Sequence, residues 1–263
     1  MIPLALGLTA IVLYAFAARL LAVRGIEAVH DRRWLLPALP AVALHAAVHV
    51  LAWRAHGGPD LHFFAALSLV GLGMAALTAT IAPTQRIEAL GIIVFPLAAA
   101  MLALYASFGG RGAESLGWPL QLHALLALLA YATLAVAALL AIMLWFQERA
   151  LRRRHLGGAM RFLPPLTQTE TLLFRSLGAG FVLLTLTLLT GVLFVEDLFA
   201  QDLGHKTVLS ILSWIVLAVL LFGRWRWGWR GPRAVKLTLV AMALLLLAFF
   251  GSKFVYELVL HRA

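Results

Sequence analysis

About eight apolar stretches follow one another through this chain, at residues 2–23, 34–54, 62–82, 87–107, 119–146, 171–195, 207–223 and 234–259. A helix rising 1.5 Å per residue needs roughly 20 such residues to cross roughly 30 Å of hydrocarbon. The stretches take up most of the 263 residues and leave no room for a soluble domain. Hydrophobic residues make up 63% of the chain and charged residues 12%, against roughly 45–50% and 25% in soluble proteins. No water-soluble packing hides that much apolar surface. The expected fold is all-α, a polytopic integral membrane protein whose residues 1–263 form a single transmembrane helical domain. A cytosolic enzyme, a secreted disulfide scaffold and a disordered tail are excluded. No Cys is present, which also rules out thiol catalysis, thiolate-bound zinc and covalent haem attachment through the chain's own thiols.

The loops set an orientation. Arg24, Arg32, Arg33, Arg86, Arg149, Arg152, Arg153, Arg154, Arg161, Arg224, Arg226, Arg230 and Arg233 fall in the odd-numbered loops. Only Arg54, Arg111, Lys206 and Arg262 fall in the even-numbered loops and the tail. The positive-inside rule then places the odd loops in the cytoplasm and both termini on the outer side. The first stretch carries Arg19 and Arg24 after its apolar run, not before it, so it reads as an uncleaved span and not a signal peptide. Topology and anionic lipid account for the net charge of +10, and nucleic acid is not an expected partner.

In this topology the nine histidines are unevenly placed. His30 and His155 lie in cytoplasmic loops. His45 and His49 sit one helical turn apart on one face of the second span. His56, His62, His123, His205 and His261 all fall near the outer surface. Neutral imidazole is a common ligand for metals and for haem iron; interfacial histidines also simply satisfy loop carbonyls, and spacing alone does not separate the two readings. His123 opens the fifth span, and a helix N-terminus disfavours an imidazolium there, keeping the ring able to ligate. His261 ends the eighth span at the same outer level.

Charges within spans are costly and point to function by default. Lys253, Glu257 and His261 recur every four residues along the eighth span, where an outward-snorkelling Lys–Glu pair is the alternative. Lys206, Lys253, Arg111 and Arg262 could meet haem propionates. Glu196, Asp197 and Asp202 make the loop after the sixth span acidic, as a solvated outer loop. Trp34, Trp53, Trp118, Trp225, Trp227 and Trp229 read as an aromatic belt at span ends. Gly71-Leu72-Gly73 and Gly178-Ala179-Gly180 suggest close helix packing. No phosphate loop, nucleophile elbow or HExxH motif is present.

The second half of the chain carries a resemblance. His205-Lys206 through Trp214, Gly228-Trp229-Arg230-Gly231, and the stretch from Phe249-Phe250-Gly251 to His261 resemble the cytochrome c assembly superfamily of CcsA-, CcmC- and HemX-like proteins. Leu122-His123 through Tyr131 is similar to that family's span with an external histidine. Glu196-Asp197 through Gln201, His205-Lys206-Thr207 and Phe250-Gly251-Ser252-Lys253-Phe254 match one of its branches. The likeness is specific over roughly residues 119–263; the first four spans match in hydropathy and number.

The resemblance implies a bacterial inner membrane protein with two external histidines as axial ligands of a b-type haem, mapping onto His123 and His261. Metal is implied through the haem iron only. Residues 196–206 contain no Trp, and Phe222 stands where the family has a buried His. Both departures point to haem handling or an accessory role, not to a haem lyase. The expected partners are the bilayer, haem, and other membrane or periplasmic proteins. Two rivals stay open: a non-catalytic scaffold that kept the fold and lost haem, and a small-solute transporter lined by His45, His49, Lys253 and Glu257. Continuous spans and the lack of an internal repeat count against the transporter.

Overall fold

The computed structural model describes residues 2–24, 32–85, 87–109, 116–153, 164–194 and 204–259. Among these, 92% are helical and none is in a strand. Eight helices are long and apolar enough to cross a membrane: α1 (Ile2–Arg24), α2 (Leu35–His56), α3 (Phe63–Gln85), α4 (Glu88–Phe108), α5 (Trp118–Arg152), α6 (Leu166–Phe194), α7 (Gly204–Trp227) and α8 (Pro232–Leu246), the last continued by further helical turns. They coincide with the eight apolar stretches, and the chain is a multi-pass membrane protein. α5 extends beyond its stretch to Arg152, with Arg149 and Arg152 in its last turn, where cations complement the helix macrodipole.

Packing divides the chain into two compact units, Met1–Ser115 with Arg149–Gln168, and Leu116–Glu148 with Thr169–Ala263. In the first, α1 packs against α2 and α4, and α3 packs against α4. The contacts rest on small residues: Ala10 and Ala17 of α1 and Ala65, Ala66 and Ala75 of α3 are fully buried. Lipid tails are as apolar as leucine, so close van der Waals fit must hold such helices together. A Cβ at Gly71 would lie 2.8 Å from Met101 Sδ, and one at Gly91 would lie 2.6 Å from Leu21 Cδ1. α2 stops at Gly57, which takes φ +75° and returns its N–H to the Trp53 carbonyl at 2.9 Å, the left-handed cap that glycine allows. Trp34 departs from the aromatic-belt reading. It is 2% exposed and packs on Phe95 with ring centroids 5.8 Å apart, because the short turn Arg32–Trp34 tucks it under the bundle. Trp53, Trp118, Trp225 and Trp227 are exposed as a belt requires.

In the second unit, Gly180 of α6 lies against α5: a Cβ there would come 2.6 Å from Leu134 Cγ, whereas Gly178 faces open space. α7 and α8 pack together, and the Ser213 hydroxyl donates to the Ala241 carbonyl at 2.9 Å. Their connection turns through Gly228 (φ +65°) and Gly231 (φ +56°) before Pro232 opens α8, where its missing N–H costs nothing. One carboxylate anchors this turn. Glu170 Oε1 accepts from Arg224 at 2.6 Å and from Arg230 Nε at 2.8 Å, and the Arg224 guanidinium lies 4.5 Å over Phe174.

The eighth span differs from the continuous helix expected. Beyond Leu246 it widens into π turns at Leu247–Gly251 and Phe254–Val259. At the first of these α5 intervenes: the Tyr131 hydroxyl donates to the Leu245 carbonyl at 2.6 Å, and the Tyr131 ring packs 5.8 and 5.6 Å from Phe249 and Phe250. A side chain that takes up a carbonyl stabilises the extra residue a π turn inserts.

Candidate functional site

His123 lies in the second turn of α5, half-buried against the end of α6. Its Nδ1 is 3.1 Å from Thr190 Oγ1. The single Thr190 hydroxyl proton is directed back along its own helix, to the carbonyls of Leu186 at 2.9 Å and Thr187 at 3.0 Å. Thr190 therefore accepts from the ring. A ring that donates from Nδ1 in this way keeps on Nε2 the lone pair a metal takes. Gly191 makes the space, since a Cβ there would stand 3.2 Å from His123 Cε1. At the same end Trp118 meets Phe194 edge to face at 6.1 Å, an apolar rim beside the imidazole. The residues fit an iron ligand held in one tautomer and shielded on one side.

The other expected site residues fall out differently. Lys206 is half-buried in the first turn of α7, and His205 beside it is exposed. Lys253 is in an ion pair with Glu257 at 3.1 Å, with side-chain exposures of 16% and 11%, and its ammonium lies 5.6 Å over the Phe249 ring. A propionate at Lys253 has Glu257 as its competitor. Arg111, His261 and Arg262 lie outside the described residues, as do His30 and His155 and the 196–203 part of the acidic loop. Phe222 is 49% exposed and packs on Trp225 and Trp227 at 5.8 and 5.4 Å.

The first unit holds a second group of polar side chains. His45 is fully buried and so faces the bundle interior, not lipid. Its Nε2 is 2.9 Å from Ser68 Oγ, and His49 Nε2 is 3.0 Å from the same oxygen. Tyr14 Oη is 3.3 Å from His45 Nδ1. His49 stacks on Tyr105 at 4.7 Å, and the Tyr105 hydroxyl donates to Asp60 Oδ2 at 3.5 Å. Asp60 Oδ1 lies 2.9 Å from His62 Nδ1 and accepts the His62 backbone N–H at 3.1 Å. His56, by contrast, donates Nδ1–H to the Ala52 carbonyl at 2.8 Å, as an interfacial histidine satisfying backbone. Among the described residues no three His, Asp or Glu side chains converge as a metal centre.

Sequence reasoning missed Thr190, Gly191, Ser68, Tyr14, Tyr105 and Asp60. The i, i+4 spacing of His45 and His49 was visible; their partners lie on other helices and carry no local signal.

Residues 38–260 match the family described as cytochrome C assembly protein. The chain belongs to that family. The match reaches back into α2, well before the segment from residue 119 where the likeness was expected to begin. The chain is similar to the inner membrane protein YpjD of Escherichia coli strain K12, 33% identical over 234 residues, covering 86% of this chain and 89% of the relative. It is 38% identical over 143 residues to an uncharacterized 28.8 kDa protein of Azospirillum brasilense, covering 54% and 53%. A cytochrome c biogenesis protein CcsA from Chlamydomonas reinhardtii is 24% identical over 140 residues, covering 52% of this chain and 38% of the relative. No solved structure matches the chain. In this member of the family His123 rests against α6, hydrogen-bonded at Thr190.

Proposed function

We propose that this protein handles haem at the bacterial inner membrane, holding one b-type haem near the outer face with His123 and His261 as axial ligands. The observation that carries this reading is the placement of His123, whose Nδ1 lies 3.1 Å from Thr190 Oγ1 and whose Nε2 is left for iron when the ring donates from that side. Packing of α5 on α8 supports it too. Tyr131 lies eight residues after His123, and its partner Phe249 lies twelve residues before His261. The two proposed ligands then belong to chain segments whose helices are in contact.

Bis-histidine haem supplies a low-spin iron with no open coordination position, which suits transfer or storage of haem or electrons and not oxygen chemistry. The protein's part is to ligate and orient. His123 is aimed by Thr190, Gly191 leaves room for its ring, and Arg111, Lys206 and Arg262 supply cations for the propionates, with Lys253 reached in competition with Glu257. The tryptophan-free loop and the outward-facing Phe222 favour a second reading, a scaffold that kept the fold without haem.

One measurement separates the two. The protein purified in mild detergent is examined by oxidised and dithionite-reduced visible spectra with a pyridine haemochrome assay. Haem handling gives sharp reduced bands at near one haem per chain, lost in His123→Ala and in His261→Ala while helical circular dichroism is unchanged. A folded protein that stays colourless through haem titration overturns the haem reading and leaves the scaffold.

A further inference from the structure

The haem reading makes no use of the end of the second unit where α7 turns into α8. Trp225 and Trp227 are 80% and 61% exposed there, and Arg224, Arg226, Arg230, Arg233 and Lys236 fall close together in the chain. Two carboxylates face them. Glu170 accepts from Arg224 and Arg230, and Glu148 lies against Gly231. The cations outnumber the carboxylates, and among the described residues neither Arg226 nor Arg233 is in an ion pair.

The groups at this turn are seated, not loose. The Trp229 indole fills the space that Gly223 leaves, and its backbone N–H returns to the Gly223 carbonyl at 3.2 Å. Trp227 stacks on Trp229 at 5.7 Å, and Phe222 meets Trp227 edge-on at 5.4 Å. Arg230 is braced by its Nε on Glu170 at 2.8 Å while most of its side chain is exposed. Its two η nitrogens are then available as a fork, the arrangement that binds phosphate oxygens in pairs.

An apolar track leads to the same place. Val208, Leu212, Ile215, Val219 and Phe222 are exposed and follow one another along α7 at steps of four and three, one stripe of the helix. The next position in that series is Arg226. Leu212 to Phe222 spans about 15 Å of helix, half of the roughly 30 Å hydrocarbon core. A water-soluble partner could reach the turn but not the stripe. From this continuity of apolar stripe, indole rim and unpaired guanidinium groups we propose that the α7–α8 end binds an anionic phospholipid. Its phosphate meets Arg226, Arg230 and Arg233, one acyl chain lies along the α7 stripe, and the Trp225 and Trp227 indoles sit at the headgroup level. A zwitterionic lipid fits less well, because its own ammonium group is repelled by the surplus positive charge.

Brominated lipids, which quench indole fluorescence on contact, test this on the full-length protein in phosphatidylcholine vesicles. Phosphatidylglycerol or phosphatidylcholine with brominated acyl chains replaces a rising fraction of the lipid, and the share of quenching due to the patch is the difference from Trp225→Phe/Trp227→Phe. A lipid site predicts half-quenching of that share at about fivefold less phosphatidylglycerol than phosphatidylcholine, the scale set by one basic residue near anionic lipid. Arg226→Gln/Arg233→Gln removes two cations that hold no ion pair, so the fold stands, and brings the two curves within about twofold of each other. Arg230→Gln lowers the preference as well and serves should the double variant fail to fold. Removing three arginines of the first unit, in Arg19→Gln/Arg24→Gln/Arg32→Gln, leaves the preference as it was. Equal curves for the two lipids overturn the proposal, as does a preference that survives the α7–α8 variants or falls equally in the first-unit variant. Displacement by inorganic phosphate would make this a site for the free anion, and indoles that neither lipid quenches would be covered by protein, such as a second copy; either result overturns it too.

Discussion

At the scale of single residues, the chemistry of His123 is set by two neighbours with no titratable group. Thr190 Oγ1 lies 3.1 Å from its Nδ1, and outer partners of this kind are worth about 10–100-fold in metal affinity. Thr190→Val should therefore weaken haem binding by that factor in a titration followed at the Soret band, while Thr190→Ser keeps it. Gly191 acts through space. Its missing Cβ would sit 3.2 Å from the imidazole, so Gly191→Val must turn the ring out of line. That variant should lose the low-spin bands and keep its helix content. Both effects run from helix packing to ligand geometry, and neither residue attracts notice in the sequence.

At the scale of elements, two anchors hold the second unit's helices in register. Glu170 on α6 is 5% exposed and grips the α7–α8 turn through Arg224 and Arg230. The Arg230 side chain is 63% exposed, so solvent screens its share, and most of the loss in Glu170→Gln falls on Arg224. A hydrogen bond to a charged group contributes about 1.5–3 kcal/mol; the variant should unfold earlier on heating in detergent by an amount near the lower end. Tyr131→Phe removes the donor to the Leu245 carbonyl and should cost about 1 kcal/mol. The apolar stretch from 234 to 259 predicted the eighth span correctly. Its widening into π turns was not legible there; at the first of them the carbonyl of Leu245 is taken up by a tyrosine 114 positions away.

At the scale of the whole molecule, the arrangement of charge predicts a topology that chemistry can check. The chain has no cysteine, so single introduced thiols report cleanly. In intact cells Gly117→Cys, before α5, should react with a membrane-impermeant maleimide, and Arg153→Cys, after it, should react only once the membrane is permeabilised. The reverse pattern would invert the orientation drawn from the arginines. All eight spans were legible because hydropathy adds up along a continuous stretch, and a 20-residue window contains everything needed to judge it.

The candidate site was legible only in part. His123 could be singled out from its place at a helix start and from a family resemblance, and the face shared by His45 and His49 from their spacing. Thr190 under His123, Ser68 between two imidazoles and Glu170 beneath two arginines emerged only from the folded chain. Membrane insertion is decided by transfer of each segment from water to lipid, a local property written in its composition. Hydrogen-bond partners are decided by which helix faces meet. That depends on small-residue contacts such as Gly180 on Leu134 and Gly71 on Met101, whose geometry exists only after the helices have packed.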